Sequence, residues 1–157
     1  MINVSIYRPK NFHLLESIEN DNDLSEESIA LLQSLNYIYR DRVIHVISPP
    51  INTKEIVKIK WEYIDTLTKD MPTYICLFDI IDVKTKTNSE VRNFAREQYK
   101  IRKDKLKFII YVTGKNLIMR LAIKYYMAKS AEIPYVVVRD LEQADKIIED
   151  LQKKNIL

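Results

Sequence analysis

One glycine, Gly114, occurs in 157 residues, and that scarcity excludes a whole class of sites. Neither G-x-G-x-x-G nor G-x-x-x-x-G-K can be written from this chain, although Gly114-Lys115 ends like the second. Any phosphate would have to bind at a helix N-terminus rather than in a dedicated loop. The single cysteine, Cys76, rules out an internal disulfide and fits a reducing compartment. The two histidines, His13 and His45, have no cysteine or second histidine at ligand spacing, so neither a metal site nor a cofactor is expected. No apolar run approaches the roughly 20 residues of a membrane span. The start, Met1-Ile2-Asn3-Val4, lacks a basic region followed by an apolar stretch. The expectation is a cytoplasmic protein. A formal net charge of +3 is too small to argue for a nucleic-acid partner, and none is expected.

What is present fits a soluble globular chain: 46% apolar and 30% charged residues, enough to build one sizeable core. The charges are unevenly placed. Glu16 to Glu27 holds six acidic residues and no basic one, whereas Arg92 to Lys107 holds seven basic residues against Glu97 and Asp104. Two solvated faces explain this most simply, but docking of one stretch on the other, in cis or across a homodimer, is a sharper expectation.

Residues 1–32 read as an acidic N-terminal arm and 33–157 as the main domain. In the arm, Ile2 to Tyr7 is a short strand ended by Pro9, Asn11 to Ile18 a helical turn, and Ser25 to Leu32 a short helix. The main domain opens with a β-hairpin: Leu35-x-Tyr37-x-Tyr39, a turn at Arg40-Asp41-Arg42, then Val43 to Ile47. Asn52 and Glu55 form a capping box for a helix to about Lys69, with Ile56, Ile64 and Leu67 inward. Strand Tyr74 to Phe78 follows. Thr87 and Glu90 then cap a helix carrying Val91, Phe94, Ala95 and Tyr99 at helical spacing. Strand Phe108 to Val112 leads to a helix from Asn116 to Lys129, whose inner face is read as Leu117, Leu121, Tyr125 and Ala128. Strand Tyr135 to Val138 and a helix capped by Asp140 complete the chain. The class is α/β, with a mixed sheet of about five strands. Its last three strands should be parallel neighbours linked by helices.

This order resembles the STAS family, shared by sulfate transporters and anti-sigma factor antagonists, and within it the divergent bacterial STAS-like or SEC14-like proteins. The resemblance spans about Gln33 to Leu151. It is carried by the hairpin Tyr37-Ile38-Tyr39-Arg40-Asp41-Arg42-Val43-Ile44-His45-Val46, by Leu77-Phe78-Asp79-Ile80, and by Ser89-Glu90-Val91-Arg92. Leu117-Ile118-Met119-Arg120 and Asp140-Leu141-Glu142-Gln143-Ala144 extend it. It implies a non-catalytic regulatory module that binds another protein, for instance a kinase or an anti-sigma-like regulator. Its SEC14-like side implies instead a carrier of a lipid or small ligand. Anti-sigma factor antagonists carry a D-S-S-G segment whose second serine is phosphorylated. The corresponding residues are Thr87-Asn88-Ser89-Glu90, so Ser89 matches while the aspartate and glycine are replaced. The resemblance thus points to Ser89 as a phosphosite within an interaction surface of Asp82, Thr87, Asn88, Ser89, Arg92 and Arg96.

Two other chemistries are weighed against this. Asp79 and Asp82 at a strand end, with Thr113 and Arg139 ending the next two strands, sketch a receiver-type phosphoacceptor. The sketch lacks the acidic pair after the first strand and has arginine where a lysine is needed. A strand-end aspartate more often accepts from turn amides. Cys76, in mid-strand with no cation or helix start beside it, reads as a small buried thiol rather than a nucleophile.

Overall fold

A computed structural model describes residues 8–83, 87–129 and 132–156. The elements in order are α1 (Glu26–Ser34), β1 (Asn36–Arg40), β2 (Val43–Ile47), α2 (Lys54–Leu67), β3 (Tyr74–Asp79), α3 (Ser89–Ile101), β4 (Leu106–Val112), α4 (Leu117–Ala128), β5 (Tyr135–Val138) and α5 (Leu141–Lys153). Two short 3-10 turns, Phe12–Ser17 and Asp21–Asp23, precede α1. The strand proposed for Ile2 to Tyr7 lies outside the described residues.

The five strands form one sheet in the order β1-β2-β3-β4-β5. The first pair is antiparallel and the others are parallel, as the hairpin and the helix-linked strands imply. The hairpin turn places Asp41 at φ 41°, a left-handed conformation that aspartate tolerates better than most residues. Gly114 sits at φ 66° between β4 and α4, so the chain's one glycine stands where a side chain would be strained.

Alternation along β3 assigns the two faces of the sheet. Tyr74, Cys76 and Phe78 meet Val57, Trp61 and Ile64 of α2, Val91 and Tyr99 of α3, and Met127 of α4. Ile75 and Leu77 meet Leu141, Ala144, Ile148 and Leu151 of α5. Three helices therefore cover one face and one helix the other. A parallel sheet needs both faces buried, which explains its almost unbroken apolar strands. Cys76 is fully buried, and burial pushes its thiol pKa up against a smaller downward pull from Lys60 of α2, a cation that sequence neighbours alone do not reveal.

A third cluster joins Leu15, Ile18, Leu31, Leu32 and Leu35 to Ile47, Ile56 and Ile59. The N-terminal residues thus pack against α2 and the end of β2 beside the edge strand β1. Among the described residues no ion pair joins Glu16 to Glu27 to the basic stretch within the chain. Instead Arg102 pairs with Asp65 at 2.7 Å, Lys103 with Glu132 at 3.7 Å and Lys100 with Glu97 at 3.2 Å.

Three local readings change. Thr53, not Asn52, caps α2, accepting from the Ile56 amide at 3.1 Å. Asn88, not Thr87, caps α3, accepting from the Val91 amide at 2.9 Å. The third concerns α4, whose inward residues are Met119, Ile123, Tyr126 and Met127, while Leu117, Leu121, Tyr125 and Ala128 face outward.

Candidate functional site

The carboxyl ends of parallel strands are where α/β folds usually bind ligands. Here that edge carries a buried polar cluster centred on Asp79, the last residue of β3. Following Ile75 and Leu77 in the alternation, Asp79 points to the α5 side and is wholly buried. Its Oδ1 accepts from the Ile81 amide at 3.1 Å, the turn-amide role expected of a strand-end aspartate. The rest of its charge is met by Arg8. The guanidinium places Nη1 at 2.9 Å from Oδ2 and donates from Nη2 to Oδ1 at 3.0 Å. Arg8 Nε donates to Asp82 Oδ2 at 2.6 Å. One arginine from the N-terminal segment therefore bridges both carboxylates of the turn.

His45 lies in the next strand on the same face, with Nε2 at 3.9 Å from Asp79 Oδ2, beyond hydrogen-bonding distance. Its Nδ1 shares a 2.6 Å hydrogen bond with the Tyr37 hydroxyl, across the β1–β2 pair. Burial depresses the imidazole pKa to about 4, against a smaller upward pull from Asp79. The ring is therefore neutral near pH 7. Thr113 directly follows β4, and its hydroxyl lies 3.2 Å from the Gly114 carbonyl and 3.4 Å from the Val138 carbonyl, sharing its one proton between the following loop and the end of β5. Thr113 thus follows the strand beside Asp79, but its hydroxyl turns to backbone carbonyls, and the Asp79 carboxylate is sealed from solvent and clamped by Arg8.

The residues proposed for an interaction surface divide into two groups. Asp82 belongs to the Arg8 clamp. Thr87, Asn88, Ser89, Arg92 and Arg96 gather at the start of α3. Asn88 supplies the cap, Ser89 is the exposed first helical residue, and Arg92 reaches back to donate to the Thr87 carbonyl. Arg96 stacks over the Tyr126 ring at 4.7 Å. Glu90, next to Ser89, pairs with Lys54 of α2 at 2.6 Å, and that lysine holds its carboxyl below the usual range.

Reasoning from sequence missed Arg8 as a partner of Asp79, 71 residues away. The one available signal was that Arg8 and Lys10 are the only lysines or arginines before Arg40. No protein-family model, curated protein or solved structure matches this chain.

Proposed function

We propose that the chain is a non-catalytic regulatory module that binds another protein through the start of α3. In this reading Ser89 is its modifiable residue, as in the anti-sigma factor antagonists it resembles, and a kinase or anti-sigma-like regulator is the kind of partner expected. The observation that carries the proposal is the division of labour at the cap. Asn88 satisfies the Val91 amide, so the exposed Ser89 hydroxyl is not needed to start the helix. A phosphate on Ser89 would meet the first-turn amides and the positive end of the helix dipole. Arg92 and Arg96 lie three and seven residues on, along the same helical face. Glu90, which would otherwise repel it, is compensated by Lys54.

The alternatives gain less support. A carrier needs an apolar cavity between sheet and helices, but that space holds the packed rings of Trp61, Phe78, Tyr99 and Tyr111. A cleft of about 350 Å³ lies instead at the opposite strand ends, lined by Asp65, Arg102, Asp104 and Lys105 among others. A receiver-type phosphoacceptor needs an accessible Asp79, which Arg8 denies.

The test is affinity purification from the native host with mass spectrometry of partners and phosphosites. A partner retained by the wild type and lost by Ser89→Asp or Arg92→Glu is the expected result. Retention of the same partner by both variants would sink the proposed surface.

A further inference from the structure

Surface helices of globular proteins normally turn one apolar stripe inward and a polar face outward. Helix α4 does not. Its inward side is apolar, and its outward side carries Leu117 at 63% exposure, Ile118 at 81%, Leu121 at 61% and Tyr125 at 68%. At about 100° per residue, these four side chains fall on one continuous arc of roughly a quarter-turn, with Ala128 inside it. Ile81, which lies beside Gly114 in the turn leading into α4, adds a fifth exposed apolar side chain near the helix start. Leu117, Leu121 and Tyr125 repeat at successive turns, so the stripe runs along the whole helix rather than forming an isolated spot.

The flanks of the stripe are all of one sign. Between Lys115 and Lys129 there is no acidic residue; Lys115, Arg120, Lys124 and Lys129 are the only charges. On the helical wheel Arg120 and Lys124 border one side of the arc and Lys129 the other. Lys129 Nζ lies 4.4 Å from the centre of the Tyr125 ring, so one cation is held against the stripe itself. Arg96 of α3 extends the positive field through its stacking on Tyr126.

From this we infer that the outer face of α4 is a docking surface for an anionic lipid bilayer, with the chain bound peripherally. The charge pattern chooses the occupant. A second copy meeting the same face across a two-fold axis would oppose cation to cation with no carboxylate between them. An anionic headgroup layer complements every charge present. Protruding leucine and isoleucine side chains suit shallow insertion, and Tyr125 is of the type enriched at the water–lipid boundary. This inference does not depend on Ser89 or on the start of α3.

The full chain is mixed with vesicles of phosphatidylcholine alone and of phosphatidylcholine with phosphatidylglycerol, then sedimented at low and high salt. Co-sedimentation with the anionic vesicles only, weakened at high salt, is expected. Leu117→Asp with Leu121→Asp should reduce the bound fraction by about tenfold or more, since it both removes apolar side chains and introduces repulsion. Lys124→Glu should weaken binding less, and Ser89→Ala should leave it unchanged. Circular dichroism and thermal melting of each variant confirm that the fold persists. Absence of sedimentation with anionic vesicles overturns the inference, as does undiminished binding by the folded double variant. So does a wild-type dimer in solution that the double variant converts to monomer without any vesicle binding.

Discussion

The Asp79 cluster and the outer face of α4 lie in the same small domain and break opposite rules. One puts a carboxylate, a guanidinium and an imidazole inside; the other puts two leucines, an isoleucine and a tyrosine outside. The difference lies in their partners. Asp79 finds its cation and its amide within the chain, so its charge is answered without a ligand, although the buried His45 Nε2 has no hydrogen-bond partner among the described residues. Among the described residues the α4 stripe meets nothing that buries it. A buried polar group answered internally is explained by the fold, whereas an exposed apolar surface with cations of one sign asks for something outside.

The largest effect that could break this comparison is at Arg8. Arg8→Ala leaves the Asp79 carboxylate buried with only one amide, and should cost about 3 kcal/mol, read by denaturant unfolding. If Arg8→Ala is as stable as the wild type, the cluster is not the closed structural unit described.

The next effect is pH-dependent and comes from His45. Its pKa is depressed from 6.5 to about 4 by burial, so the folded state refuses a proton that the unfolded state accepts. Stability is therefore full above about pH 6.5, falls between pH 6.5 and 4, and levels off below, for a total loss of about 3 kcal/mol from this group. His45→Gln should remove that part of the pH dependence, as measured by unfolding at pH 7 and pH 4.5. An unchanged slope would mean that His45 does not titrate as its burial implies.

Gly114 links the two regions, since it makes the turn that launches α4. Gly114→Ala should cost about 1–2 kcal/mol because φ is positive there, while the Cβ itself has room at 3.6 Å from Ile81. Retention of wild-type stability would show that the turn can relax. The smallest effect is expected on the stripe. Leu121→Ala should change stability by no more than about 0.5 kcal/mol, because the side chain is already largely in water. A loss of several kcal/mol would show that the outer face of α4 is structural after all.

How far the sequence could be read depended on the range of the forces involved. The hairpin and the caps by Ser25 and Asp140 are local, and their residues announce them. At Asn88 the local signal was ambiguous: Thr87, Asn88 and Ser89 are all capping types, and one residue of shift decides whether Ser89 is spent on the cap or left at the first helical position. Helix α4 defeated periodicity for a different reason. Leu117, Leu121 and Tyr125 recur at helical spacing, but so do Met119, Ile123 and Tyr126. A pattern with two apolar faces does not say which one meets the sheet.

The amino-acid sequence by itself determined the α/β class, the order of strands and helices, the buried thiol and the exclusion of glycine-rich phosphate loops. Each follows from residues near one another in the chain or from composition alone. Tertiary structure alone decided that Arg8 would cross 71 positions to neutralise Asp79, and that α4 would turn Leu117, Leu121 and Tyr125 to the outside. Both depend on where a distant segment comes to rest. Charge pairing and the choice of a buried face are settled only when the sheet has assembled and each element has one side left to cover.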